Sequence, residues 1–280
     1  MNSKTFILAT ALLLSTTVNL HAQTDSLSVA DSSIKTSAGS ATTKNTKITN
    51  RLVQIPSFNL VKVNLPALLL KSYSLQYERI LNRKFSVAVQ YRMMPETGIP
   101  FKSNVLKLVG NDDADTKKTI DDFRMSNYAI TPEVRLYLSR KGFGRGFYIA
   151  PFYRYASFTS NKLNVFFTDG NNVEQSIKMS GKITSNTVGL AIGAQHTFGK
   201  HIVLDWSFFG PHYGSAKGLL SGTSSKPLST EEQNDLRDQL DGYDIPLTNK
   251  TVSVNANSAS LKLDGPWAGM RFTIGLGVRF

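Results

Sequence analysis

Few side chains in this 280-residue sequence have the type and spacing that catalysis needs; Cys is absent and there are only four His. An enzyme acting on lipid or surface peptide needs a His beside a Ser or a carboxylate. Of the four, only His212 falls where an outer rim is expected, with Ser215 close by and Asp264 later in the same segment. His196 and His201 belong to the opposite end. No hydrolase motif surrounds His212, and an interfacial His beside Tyr213 accounts for it without chemistry. A second group, Asn111, Asp112, Asp113 and Asp115 with Asp121 and Asp122, gathers carboxylates without the ligand spacing of a calcium loop, so a solvated acidic loop is expected. No phosphate-binding loop, metal-ligand cluster or nucleic-acid motif is present, so the net charge of +12 does not indicate a nucleic-acid partner, and no cofactor is expected. What remains is a set of isolated charges, each inside an alternating run: Lys62, Glu78, Arg92, Glu133, Arg135, Arg154, Asp205 and Arg271.

The runs that carry these charges have a period of two, which no helix has. In the clearest, Ala268, Met270, Phe272, Ile274, Leu276, Val278 and Phe280 alternate with Trp267, Gly269, Arg271, Thr273, Gly275, Gly277 and Arg279. Tyr128 to Ser139, Thr187 to Gln195 and Phe85 to Met93 alternate in the same way. Weaker strands are expected at Asn59 to Pro66, Tyr73 to Leu81, Phe147 to Phe158 and Ile202 to Phe209, which brings the number to eight.

Period alone does not say whether the apolar face looks inward, as in a soluble barrel, or outward into lipid. The opposite face decides. It carries Gly, Ala, Ser, Thr and Gln with single charges, a composition that suits a crowded polar interior rather than a solvated exterior. Were that face in lipid, each Arg near the midplane would cost about 2–4 kcal/mol, and several such costs exceed a typical net stability of roughly 5–15 kcal/mol. The expected fold class is therefore all-β: an eight-stranded antiparallel up-and-down transmembrane β-barrel with long external loops. The mean hydropathy of −0.17 does not oppose this, because a lipid-facing set and a polar interior set average to a mild value. Connection lengths agree. Asn82 to Lys84, Ser139 to Gly146 and Gly199 to His201 are short and would be periplasmic; Pro95 to Ser126, Ser160 to Ser185 and Pro211 to Pro266 are long and would be external, with the Ala67 to Ser72 link on the same side. Parity puts both chain ends in the periplasm.

Residues 1–22 read as a signal peptide: Lys4 precedes an apolar run from Phe6 to Leu14, with Ala22 before the expected cut. That run is too short to span a bilayer. Residues 23–57 are rich in Ser, Thr, Asn and Lys and read as a disordered periplasmic linker, leaving residues 58–280 for the barrel.

Four stretches carry a resemblance to a known group: Val61-Lys62-Val63-Asn64-Leu65, Ser74-Leu75-Gln76-Tyr77-Glu78-Arg79, Pro132-Glu133-Val134-Arg135-Leu136-Tyr137 and Gly210-Pro211-His212-Tyr213-Gly214. Over roughly residues 58–280 the chain resembles the small eight-stranded outer-membrane barrels, and within them an uncharacterised Bacteroidetes family. The resemblance implies the fold and an outer-membrane location, and no catalytic residue. The terminal Phe280 resembles the aromatic signal read by the outer-membrane barrel-assembly machinery.

An eight-stranded interior is about wide enough for its own side chains, so a diffusion pore is not expected. Buried charges need partners: Glu78, Glu133 and Asp205 are each expected within salt-bridge reach of an Arg or Lys, in a network that fills the barrel. A gated anion path using the surplus cations is the alternative. Leu163 to Phe167 and Val173 to Met179 alternate around the turn signal Asp169-Gly170-Asn171-Asn172, which predicts strands running beyond the bilayer as a protruding two-stranded edge able to capture a partner. Ser229 and Glu232 have capping-box spacing ahead of a short helix, Asn234 to Leu240, and alternation resumes at Thr251 to Val254 and Leu261 to Leu263. The expected role is structural or adhesive, through external loops. Its expected partners are outer-membrane lipids, the assembly machinery and an external ligand or surface polysaccharide. An enzyme modifying lipid A or phospholipid, built on His212 and Ser215, is the reading from a different class.

Overall fold

Alternating runs give each strand one apolar and one polar face, and here the strands close on themselves. The computed structural model describes residues 58–99, 102–103, 117, 120–168, 174–242 and 247–280. The signal segment, the linker, the Asp169 to Asn172 turn and Asn111 to Asp115 lie outside them. The elements are β1 (Asn59–Asn64), α1 (Leu65–Leu69), β2 (Tyr73–Ile80), β3 (Phe85–Thr97), β4 (Arg124–Tyr137), β5 (Gly146–Thr168), β6 (Glu174–Phe198), β7 (Ile202–Phe209), β8 (Pro211–Thr223), α2 (Thr230–Asp241), β9 (Asn249–Val254), β10 (Ser258–Met270) and β11 (Thr273–Arg279).

All strand pairs are antiparallel, in the order β5-β4-β3-β2-β1-β11-β7-β6 with β5 joined to β6, so the sheet is a closed eight-stranded barrel. β8 continues the stave of β7 after Gly210, and β10 runs into the stave of β11 through Arg271 and Phe272. First and last strands seal the barrel, with Leu60 opposite Arg279 and Asn64 opposite Gly275. The short connections and both ends of the barrel sequence gather at one mouth, called lower here.

Three expectations change, two of them in the extent of strands. The segment from Pro211 to Pro266 is not a loop throughout: it begins with β8 and ends with β10, which pair from Pro211 opposite Met270 to Thr223 opposite Ser258. Its alternation is masked by small residues that the packing requires. A Cβ on Gly214 would lie 2.0 Å from the Asn186 carbonyl oxygen. The first strand ends at Asn64 rather than Pro66, because Pro66 stands in the first turn of α1, where its missing N–H costs nothing.

Above the barrel the protruding part is not a two-stranded edge. β5, β6, β8, β10 and β9 make a five-stranded sheet. Its apolar face, with Val165, Ile177, Met179 and Leu261, packs around Leu236 and Leu240 of α2. A ribbon of two strands would leave this face in water. Ser229 caps α2 as the spacing predicts: its Oγ accepts from the Glu232 N–H at 3.3 Å, and Glu232 Oε2 accepts from the Ser229 N–H at 2.6 Å. α2 packs against both β5 and β9, and Arg237 donates to the Val254 carbonyl at 3.3 Å, which covers part of the β9 edge.

Among the described residues, one side of the wall lacks strand pairing. β10 pairs with β8 along its whole length, but on its other side it pairs only with β9, down to Asp264 opposite Asn249. β1 reaches no higher than Asn64 opposite Gly275. Among the described residues, Gly265 to Met270 therefore has no strand on that side. β3 above Met93 likewise has no β2 partner, since β2 starts at Tyr73 opposite Met93. The slot between these two edges has α1 at its base.

The lower mouth is filled by the β4–β5 turn. Gly144 has φ +71°, its carbonyl accepts from Gln195 Nε2 at 2.7 Å, and a Cβ there would come within 2.7 Å of Ile80 Cδ1. Gly144→Val is expected to cost about 1–3 kcal/mol and to open this mouth, read as a lower urea midpoint for the barrel in detergent micelles.

Candidate functional site

Because successive residues of a strand face opposite sides, the outward apolar set commits every second residue of these staves to the interior. The eight charges singled out in the sequence all lie on that inward parity, at two heights. The lower group is a closed network. Lys62 Nζ reaches Glu78 Oε2 at 2.5 Å, Asp205 Oδ2 at 2.6 Å and Gln195 Oε1 at 2.8 Å. Arg135 meets Asp205 Oδ2 at 2.6 Å, Glu78 Oε2 at 3.1 Å and Glu133 Oε1 at 2.6 Å. Each carboxylate is held further by neutral donors: Ser86 and Tyr137 on Glu78 at 2.5 and 2.7 Å, Tyr148 on Asp205 at 2.8 Å and Gln76 on Glu133 at 2.8 Å. Arg135 also lies over the Tyr148 ring, 4.4 Å from its centroid. All of these side chains are buried.

Glu133 links this layer to the one above, where its other oxygen accepts from Arg271 Nη1. Arg271 Nη2 donates to Gln90 at 2.8 Å and Gln90 to Ser74 at 2.7 Å. Arg154 donates to Thr131 at 3.2 Å and Arg92 to Ser72 at 3.1 Å. Above them Met94, Met125, Phe158 and Trp267 form an apolar plug. The interior thus has three storeys: a neutralised ion network, a cationic chamber and a hydrophobic stopper.

Sequence reasoning missed Gln76, Gln90, Gln195, Tyr137 and Tyr148 as members. Their inward parity was the available signal for Gln76 and Tyr137, but only the register of distant strands brings them to the carboxylates. Arg279 is also inward and buried, donating to the Phe143 carbonyl at 2.9 Å.

The rim site is not assembled. His212 points into the barrel and is 6% exposed, while Ser215, an odd number of residues along the same strand, faces outward. Asp264 lies opposite Lys217 and pairs with it at 3.4 Å on the surface. A His, a Ser and a carboxylate spread over two faces cannot share a proton. His201 Nδ1 lies 3.0 Å from the Arg279 carbonyl in the β6–β7 turn. Among the described residues no three His, Cys, Asp or Glu side chains gather as a metal site. Asp121 pairs with Lys102, and Asp122 accepts from Asn164 at 3.2 Å. Phe280 sits at the seal of the barrel, exchanging backbone hydrogen bonds of 2.9 and 3.0 Å with Asn59, and its ring is exposed.

Neutralising Asp205 takes a carboxylate from two buried cations at once, Lys62 and Arg135. Asp205→Asn is expected to lower stability by about 3–5 kcal/mol, whereas Asp264→Asn, in an exposed pair, should cost no more than about 1 kcal/mol. Urea unfolding followed by intrinsic fluorescence compares them.

The family model described as protein of unknown function (DUF3575) matches residues 46–213, about three-fifths of the chain. No curated protein matches. The matched span runs from β1 through β7 and carries seven of the eight interior charges, and on that match the chain belongs to the DUF3575 family, proteins of unknown function.

Proposed function

We propose that this protein is an integral outer-membrane barrel whose work is done by the cap that its strands carry above the bilayer. The observation that carries this reading is the belt of large apolar side chains on the outside of the staves. On β3 alone Phe85, Val87, Val89, Tyr91 and Met93 are each 39–47% exposed, and Leu75, Val134, Leu190, Leu276 and Val278 continue the belt around the barrel. Soluble monomers rarely expose contiguous apolar patches beyond a few hundred Å². Phe85 to Met93 covers about 27 Å along the strand, and a tilt of about 40° brings this near the roughly 25 Å apolar band of outer-membrane barrels.

Two aromatic rings support the same orientation. Phe85, Phe147, Phe198 and Phe280 are exposed around the lower mouth, and Tyr73, Tyr91, Tyr153 and Tyr213 around the upper margin. Aromatic girdles mark the two interfaces of membrane barrels. No described helix is long and apolar enough to cross a membrane. In this reading residues 1–22 direct export and are removed, residues 23–57 form a periplasmic linker, both chain ends are periplasmic, and Phe280 is read by the assembly machinery. The interior, closed by side chains, favours a structural or adhesive role, with an external ligand or surface polysaccharide bound by the cap. The reading is of a non-catalytic role, and the placement of His212 and Ser215 on opposite faces of β8 supports it over a lipid-modifying activity built on that pair.

Fractionation of whole cells should recover the chain in the outer membrane, with migration on gels that changes on boiling, and protease added outside should cut the cap first. A soluble, periplasmic chain that migrates identically before and after boiling would overturn the reading. Val89→Arg, at mid-belt, is expected to cost about 2–4 kcal/mol of stability in lipid. It should do so in bilayers and not alter an aqueous fold.

A further inference from the structure

The lower network balances itself. Lys62 and Arg135 stand against Glu78 and Asp205, and Glu133 is bound by Arg135 and Arg271. Arg154 enters none of these pairs. It points inward, its hydrogen bond goes to the neutral hydroxyl of Thr131, and the charges of Arg92 and Arg271 act on it, both repulsive. A guanidinium facing an interior, repelled by its neighbours and joined to no carboxylate among the described residues, lacks the compensation that enclosed charge requires.

Two further donors converge on the same level. Arg271 Nε and His212 Nδ1 are buried with no hydrogen-bond partner, though both side chains are held in place. Arg271 is anchored by Glu133 and Gln90 and lies 5.1 Å from the Phe152 ring centroid, and His212 meets the edge of the same ring at 6.1 Å. Buried polar atoms left unmatched beside an uncompensated cation mark a missing partner. Arg154 is half-buried, whereas its same-face neighbours Phe152 and Ala156 are buried at 5% and 2% exposure. The ion network bounds this chamber below and the Met94–Phe158 plug bounds it above. Among the described residues, the slot beside β10, whose lower end is at Arg271, has no strand across it.

We propose that this chamber binds a phosphate-class oxyanion between Arg154, Arg271 and His212. Donors from three staves, β5, β8 and the β10–β11 stave, suit the separate oxygens of a tetrahedral anion, and guanidinium forks match phosphate geometry. The phosphate comes either from free solute or from a lipid headgroup entering by the slot. Only the lipid source rests on the outer-membrane reading, since the chamber is the same if the belt faces something else.

The test uses the full mature chain, folded in detergent micelles and checked by gel migration, with inorganic phosphate titrated calorimetrically at constant ionic strength. Saturable binding that Arg154→Gln and His212→Gln each weaken at least about tenfold, and that Lys217→Gln leaves unchanged, is the expected result. If Arg154→Gln does not fold, Arg154→Lys, which keeps the charge and loses the fork, should show intermediate affinity. No saturable binding by the folded protein, equal competition by chloride, or variants that bind as the parent does would each overturn the proposal. Repeating the titration in nanodiscs assigns the source. Phosphatidic acid in the bilayer competes with added phosphate if the headgroup enters by the slot, and leaves the affinity unaltered if the ligand is the free ion; either result supports the chamber.

Discussion

Everything in the barrel depends on Arg135 being neutralised where it sits. Its guanidinium touches three carboxylates that come from β2, β4 and β7, and Lys62 from β1 binds two of the same three. An isolated charge at that depth would be prohibitive, and a pair would still need its remaining donors and acceptors filled. Tyr137, Tyr148, Ser86, Gln76 and Gln195 fill them. Such a network also acts on register. Sliding one stave by a single residue would carry its charged side chain to the outer face and its apolar ones inward, so each bond across the interior resists slippage of a different seam.

This inverts the arrangement of a soluble protein only as far as the barrel reaches. In the staves the polar residues are packed inside and the apolar ones are left outside; in the cap the order reverses, and Val165, Ile177, Leu236, Leu240 and Leu261 make an ordinary hydrophobic core. The same strands pass through both environments. β5 and β6 carry inward Tyr148, Arg154 and Thr187 in the barrel and then inward Val165, Ile177 and Met179 above it. The change in inward chemistry along one strand marks where the wall stops being a barrel and becomes a helix-capped sheet. The plug of Met94, Met125 and Phe158 lies at that change.

Legibility followed from period two. Wherever large apolar residues alternate, as in Phe85 to Met93 or Ile274 to Phe280, the strand and its faces were readable, and so was the inward placement of all eight charges. β8 was not, because Gly214, Gly218 and Gly222 dilute the contrast between its faces; close approach of neighbouring backbone requires Gly214, a constraint invisible from one strand. The end of β1 at Asn64 rests on Pro66, whose effect was hidden by the apolar residues around it. His212 and Ser215 are neighbours in sequence, and strand geometry sends them to opposite faces.

By itself the sequence determined the class of the fold and the side on which each residue lies, because the pleat of a strand converts spacing directly into facing. It also signalled a capped helix after Ser229, since a capping box is complete within four residues, although α2 begins at Thr230 and not at Asn234 as expected. Only the tertiary structure decided which charges meet. The stagger between staves sets the height of each side chain, and it places Lys62 beside Asp205, 143 residues away, while Arg154 meets no carboxylate among the described residues. It also decided that, among the described residues, the lower part of β10 has no strand on one side, because that depends on where β1 and β9 stop, and no residue of β10 records the lengths of its neighbours.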